Sequence, residues 1–372
     1  MRGRRVIWLA LAVVAVAAFG SVSLAGAASG KKGAEMTKVT VQLKWVTQAQ
    51  FAGFYSAKER GYYEAAGLDV TVKPGGPDIT PEQVVASGQA EFGLGWLPAL
   101  LAARDQGTDL VNIAQLYTRS GMTELTWKDS GITTIPQMKG KTVGVWCCGN
   151  ENELFAALVK NSIDPKNKDE ITIFNQPFNM NEFLQRKIDA AAAMTYNELA
   201  QVLETKNPKT GKLYKLSDLN VISMESAGTA MLEDGIYARG DWLKDAKNRA
   251  TAVKFLTATF KGWVYCRDHV KDCVTDVLKN GSLLGKGHQT WQMNEVNALI
   301  WPAKLGIGVM SPAAYTRTAA IAKQFKVIKK APSGAYRTDL AKAAVAAAKK
   351  QGFNPYGPTY KKPPVVVTPG GK

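Results

Sequence analysis

The chain has 372 residues, of which 46% are hydrophobic and 21% charged, with a net charge of +16. Its length exceeds what a single core usually supports, so two lobes are expected. The charge raises nucleic acid or an anionic surface as partners. However, the lysines are scattered with no run longer than a pair, and no motif of a nucleic-acid-binding fold occurs, so nucleic acid is set aside.

Arg2, Arg4 and Arg5 precede an apolar run from Val6 to Phe19 and then small residues, the pattern of a secretory signal peptide over 1–28. Fourteen apolar residues fall short of a bilayer core of about 30 Å. An uncleaved N-terminal anchor stays open as the alternative, and the Arg4-Arg5 pair is weak support for twin-arginine export. Loss of the three arginines leaves a net charge of about +13. No cysteine precedes Cys147, so a lipid-anchoring thiol is not expected. The expected location is periplasmic or extracellular, at the outer face of the cytoplasmic membrane, and the chain is not read as a lipoprotein.

After a linker over 29–38, Val39, Val41 and Leu43 alternate with Thr40 and Gln42 as a strand does. A helix is expected from about Phe51 to Gly61, then a strand over Val70–Lys73. Thr80-Pro81-Glu82-Gln83 combines a capping hydroxyl, a first-turn proline and a glutamine three residues on, which opens a second helix. Strands over Glu91–Leu94 and Leu110–Gln115 flank a helix from Pro98 to Arg104. A second β/α set runs through Thr142–Trp146, Glu151–Asn161, Ile171–Phe174 and Ala190–Thr195. Val221–Met224 and Gly235–Ala238 read as strands returning the chain to the first lobe. The remainder is mainly helical, including Ala246–Asp268 and Thr338–Lys350. The expected fold class is α/β, two lobes of mostly parallel sheet flanked by helices with a ligand cleft between them. The expected division is lobe 1 over 39–127 plus 235–355, lobe 2 over 128–234, and a disordered tail over 356–372.

Cys266 and Cys273 lie seven residues apart, about 10.5 Å on a continuous helix, so a disulfide between them predicts a helix break near Arg267–Lys271. The adjacent Cys147 and Cys148 read as free thiols lining a pocket or core, the alternative being a strained bridge. With His269 and His288 as the only histidines, no metal site is expected.

Several stretches resemble one family. They are Trp45-Val46-Thr47-Gln48-Ala49-Gln50-Phe51-Ala52-Gly53-Phe54-Tyr55, Gly75-Gly76-Pro77-Asp78, Val85 to Gly93, Met138 to Val145, Tyr196-Asn197-Glu198 and Leu232-Glu233-Asp234. Their order and spacing are similar to the type II periplasmic binding proteins related to fungal thiamine-pyrimidine synthase and to sulfonate and riboflavin importers. The resemblance implies the solute-binding component of an ABC importer, with a membrane permease as partner and no cofactor, and a monomer is expected. The implied ligand is a small planar heterocycle, a thiamine pyrimidine precursor first, then riboflavin, then a sulfonate.

In an open α/β sheet, ligands sit beyond the carboxyl ends of the strands. Trp45, Gly76, Trp96, Trp146 and Asn197 fall just after expected strands. The full candidate set is Trp45, Gln48, Phe51, Tyr55, Gly76, Asp78, Trp96, Tyr117, Trp146, Cys147, Asn150, Glu153, Tyr196, Asn197, Glu198, Glu233 and Asp234. The rings would stack on the ligand and the amides and acids would read its edge, while core packing or helix capping remains the alternative for each. The resembling fungal enzymes place a cofactor-bearing lysine after a Gly-Leu pair and a histidine four positions later. Gly95 and Ala99 occupy those positions here, so catalysis is not expected.

Overall fold

The computed structural model describes residues 35–372 apart from 147, 148, 282 and 331. The stretch read as a signal peptide and most of the expected linker lie outside the described residues, as do Cys147 and Cys148. The described residues form ten strands: β1 (Thr37–Gln42), β2 (Leu68–Lys73), β3 (Phe92–Trp96), β4 (Leu110–Gln115), β5 (Met122–Trp127), β6 (Thr142–Val145), β7 (Thr172–Asn175), β8 (Ala190–Met194), β9 (Leu219–Ser223) and β10 (Asp234–Arg239). In β1 the alternation is visible in burial, with Val39 and Val41 inside and Lys38 exposed.

The strands make two mixed five-stranded sheets on one plan, ordered β2-β1-β3-β10-β4 and β7-β6-β8-β5-β9. In each, four strands run one way and the fourth in order runs against them. That opposed strand is the first after the chain changes sheet, β5 after 116–121 and β10 after 224–233. Residues 36–372 form one compact unit.

The division expected after residue 127 is therefore corrected to the crossing at 116–121, because β5 pairs with β8 and β9. Likewise Val221–Met224 does not return the chain to the first sheet; it lies largely in β9 of the second. The strand β5 escaped sequence reading because Thr123, Glu124 and Thr126 are polar, yet every one of its residues is buried. Burial pushes the Glu124 carboxyl well above its ordinary pKa, and neither of its oxygens has a hydrogen-bond partner.

Helices cover both sheets. Helix Ala52–Glu59 crosses helix Ala246–Asp268 at two glycines, and a Cβ on Gly262 would overlap the Gly53 carbonyl oxygen. The long helix ends at His269, with φ −133 and ψ 59, before helix Val270–Asn280. Across that break Cys266 and Cys273 form a disulfide with Cα atoms 5.3 Å apart. Helix Pro81–Ala86 begins after Thr80 as its proline dictates, but the Thr80 hydroxyl makes no capping hydrogen bond.

The segment 356–372 corrects the expectation of disorder. Ala303 N donates to Tyr356 O at 2.9 Å, Asn294 Nδ2 to Pro363 O at 2.9 Å and Gly370 N to Glu204 O at 2.9 Å. Lys362 pairs with Glu295, and Val365 and Val367 pack beside Leu203 and Trp291. A proline-rich extended chain has carbonyls free to accept from neighbouring donors, which is how this composition is held in place. Among the described residues, no helix is long and apolar enough to cross a membrane.

Glu124→Leu keeps the side-chain volume and removes an unpartnered carboxyl, so it is expected to stabilise the protein by about 1–3 kcal/mol. The raised pKa makes native Glu124 a proton binder above pH 4.5, so the gain grows as pH rises from about 5 to 8. Denaturant melts of both proteins across that range check it; a gain that shrinks with pH contradicts the assignment.

Candidate functional site

Because four strands of each sheet share one direction, their carboxyl ends form one rim, and the amino end of the opposed strand joins it. Asp234 at the start of β10 is paired with Trp96 at the end of β3, and Met122 at the start of β5 with Met194 at the end of β8. The two rims touch. The Trp45 ring, after β1, packs on Phe178, after β7, with centroids 4.8 Å apart. Tyr117 meets Tyr196 edge-on at 6.2 Å.

Acids gather at this junction. Asp234 accepts from Gln50 Nε2 at 2.9 Å and from Trp96 Nε1 at 3.0 Å. Glu198 accepts from Met194 N at 2.9 Å and from Asn197 Nδ2 at 2.7 Å. Glu233 Oε1 accepts from Gly121 N at 2.6 Å and lies 2.9 Å from Ser120 Oγ. Glu153 Oε1 accepts from Met231 N at 2.6 Å, and its Oε2 lies 2.9 Å from the same Ser120 Oγ. Lys44 Nζ sits over the Trp96 ring, 3.6 Å from its centroid.

Ser120 has one proton to give and two carboxylates to give it to, while Met122 N donates to its oxygen at 3.0 Å. One of the two acids must therefore donate. Gly121 N already donates to Glu233 Oε1, so Ser120, Glu153 and Glu233 Oε1 all find partners when Glu153 carries the proton and the Ser120 hydroxyl points to Glu233. Glu233 Oε2 is left buried without a partner.

Burial raises the carboxyl pKa of Glu82, Glu153, Glu198 and Asp234, and lifts Glu233 to about 8 with help from neighbouring Asp234. Desolvation lowers Lys44, against the pull of Asp234, Glu233, Glu82 and Glu198. In a low-dielectric setting, like charges this close resist simultaneous ionisation.

The structure gathers Trp45, Trp96, Tyr117, Glu153, Tyr196, Asn197, Glu198, Glu233 and Asp234 around the junction. Gln48 enters through its Nε2, which donates to Gln50 Oε1 at 2.6 Å. Gly76 is buried beside Trp45's strand end, and a Cβ there would meet nothing within 4 Å. Trp146 follows β6 but is packed in the core, its Nε1 donating to Pro177 O at 3.3 Å. Asn150 lies in the turn before helix Asn152–Lys160. Phe51 and Tyr55 belong to the core of the first sheet, and Asp78 is exposed on its loop, so these three stand apart from the cluster. Cys147 lies outside the described residues. Among the described residues no group of acids, histidines or cysteines could hold a metal ion. Two surface hollows, one lined by Leu203, Trp291 and Val367 and one by Pro302, Phe353 and Tyr356, share no lining residue with the cluster.

Sequence reasoning missed Lys44, Gln50, Glu82, Ser120 and His288. His288 places Nε2 2.9 Å from Asn197 Oδ1 and Nδ1 3.0 Å from Glu204, and so positions Asn197. Lys44 and Gln50 had a signal, since both lie within the Trp45–Tyr55 stretch or beside it. Ser120 had none, because the crossing it occupies was placed later in the chain.

Residues 48–272 match the family described as NMT1/THI5 like. A Haemophilus influenzae protein named for thiamine biosynthesis is 26% identical over 133 residues, 36% of this chain and 42% of that protein. A Saccharomyces cerevisiae 4-amino-5-hydroxymethyl-2-methylpyrimidine phosphate synthase, THI11, is 31% identical over 110 residues, 29% of this chain and 32% of that enzyme. The chain thus matches less than half the length of either. YtlA of Bacillus subtilis, named as a binding protein, is 28% identical over 280 residues, 73% of this chain and 78% of that protein. In structure, the periplasmic aliphatic sulphonate binding protein SsuA of Escherichia coli superposes with a TM-score of 0.63 at 14% identity, covering 89% of this chain and 96% of that one. This likeness shows the fold, that of the periplasmic binding proteins.

Raised carboxyl values mean the folded chain binds more protons than the unfolded one above pH 4.5. That part of the stability is complete below the ordinary carboxylate range and is lost as pH rises through the folded values. The melting temperature is expected to fall between about pH 5 and 8, and Glu233→Gln to flatten the upper part of the fall. Thermal melts in a pH series check both; a rising melting temperature over this range contradicts the ionisation pattern.

Proposed function

Since the chain belongs to the NMT1/THI5-like family, we propose that it is the extracytoplasmic solute-binding component of an ABC importer. It captures a small planar nitrogen heterocycle, a thiamine pyrimidine precursor of the hydroxymethylpyrimidine or formylaminopyrimidine type, by closure of the two sheets' rims around it. It works as an exported monomer that hands its ligand to a membrane permease. The observation that carries this reading is the convergence of aromatic faces and hydrogen-bonding acids from both sheets on one junction. Flat rings stack on such faces, and carboxylates accept from an aminopyrimidine edge.

One feature weighs against an anionic ligand, and one against synthesis. A sulfonate or phosphate would meet Glu198, Glu233 and Asp234, with Lys44 as their shared basic neighbour and Glu153 beyond Ser120. Capture is favoured over synthesis because a side chain at Gly95 has no room. A Cβ there would lie 2.7 Å from Glu82 Oε1 and 3.2 Å from the Tyr237 ring. A cofactor-bearing lysine could not stand at this position without moving both. Incubation with pyridoxal phosphate should therefore give no aldimine absorbance band, and a clear band would establish the catalytic reading instead.

Mass spectrometry of the copurifying ligand, with a thermal-shift panel of 4-amino-5-hydroxymethyl-2-methylpyrimidine, riboflavin and ethanesulfonate, tests the assignment. The pyrimidine is expected to stabilise the protein and the sulfonate to leave it unchanged. Trp45→Ala should weaken pyrimidine affinity by about 1–3 kcal/mol in calorimetry, the range for aromatic platforms that stack bases. Unchanged affinity removes Trp45 from the site.

A further inference from the structure

The acid cluster holds one feature that planar stacking does not use. Both oxygens of Asp234 are occupied, by Gln50 and Trp96, and both oxygens of Glu198 by Met194 and Asn197. In Glu153, Oε1 is taken by Met231 N and Oε2 by Ser120. Glu233 Oε2 alone among these is buried with no partner, in a residue only 1% exposed. The site therefore has a built acceptor awaiting a donor. Its surroundings are mainly acidic. Asp234 and Lys44 face it from the first sheet, Tyr196 stands between it and Glu198, and Glu225 lies behind Ser120, accepting Ser120 N at 3.0 Å and pairing with Arg317 at 3.7 Å.

We propose that this site takes its ligand as a cation, an amidinium-type N–H donor on a flat ring, seated on Glu233 Oε2 and flanked by Trp96, Tyr117 and Tyr196. This rests on the solute-capture reading above and adds the ligand's charge. The Ser120 network is what makes it work. Ser120 Oγ and Gly121 N hold the Glu233 carboxyl by its Oε1, so the group that meets the arriving charge is already oriented. Below pH 8 the Glu233 carboxyl itself releases its proton to solvent as the cation arrives, so charge in the site is exchanged and not added. A metal ion is not the cation concerned, since the acids of the described residues do not gather with ligand geometry.

Three probes with one ring and three charges test this by calorimetry at pH 7: benzamidine, benzamide and benzenesulfonate. Benzamidine is expected to bind about tenfold or more above benzamide, as a charge-assisted hydrogen bond does over a neutral one. Benzenesulfonate is expected not to bind. Titration of benzamidine in two buffers of different ionisation enthalpy should read about one proton released per site. Glu233→Gln should bring benzamidine to within about threefold of benzamide and abolish proton release. Glu153→Gln, the isostere of a protonated acid, should retain the preference for the cation. Equal binding of benzamide, tight binding of benzenesulfonate, or no proton release from the native protein overturns the proposal. So does failure of all three probes in protein that binds 4-amino-5-hydroxymethyl-2-methylpyrimidine, and in each of these cases the capture reading survives. Protein that binds neither the probes nor any ligand of the three classes sinks capture and cation together. If Glu233→Gln does not fold, proton release by the native protein decides the matter.

Discussion

The contact on which this molecule turns is the one between its two crossings. Glu233 reaches from the segment that leaves the second sheet and takes the amide of Gly121 and the hydroxyl of Ser120 on the segment that enters it. Backbone bonds from Leu116 and Tyr117 to the Asp234 carbonyl run alongside. Because each crossing delivers the opposed strand of the sheet it enters, this pairing fixes where both sheets end. Everything chemically distinctive lies within a few residues of it. A carboxylate is an expensive group to bury, several kcal/mol if left unpaired, and it is tolerated here through amide donors and a shared proton.

The same fold can carry junctions of different side-chain chemistry. SsuA of Escherichia coli shares the architecture and by its name binds aliphatic sulphonates. The junction here has acids where an anion binder needs cations or amides. Scaffold and selectivity are separable: strand direction determines where the site is, and side chains after each strand determine its charge. The surface of the chain, with its +16 balance, has the opposite sign from the junction it encloses.

Much of the fold was legible because it obeys two local rules. Period-2 alternation marked β1, and Pro81 and Pro98 marked helix starts close to where they occur. What defeated sequence reading was burial that composition denies. The threonines and glutamate of β5 read as surface, and proline, glycine and lysine in 356–372 read as solvated chain, yet both segments are packed. The site was legible in part for the same reason. Rings and acids after strands stand out: Trp96 meets Asp234 beside Glu233, and Trp45 packs on Phe178 across the rims. Lys44 and Ser120 are ordinary residues whose role comes from distant neighbours, and no local pattern carries that information.

Gly95 sets a steric limit on what can stand at the end of β3. The glycine is not an empty place into which an amine could be reinstalled, because Glu82 and Tyr237 have closed over it. Gly95→Lys would bring its Cβ to 2.7 Å from Glu82 Oε1 and 3.2 Å from the Tyr237 ring, so both side chains would have to shift to admit it. An amine at this position therefore calls for accompanying changes at Glu82 and Tyr237, and not for one replacement alone.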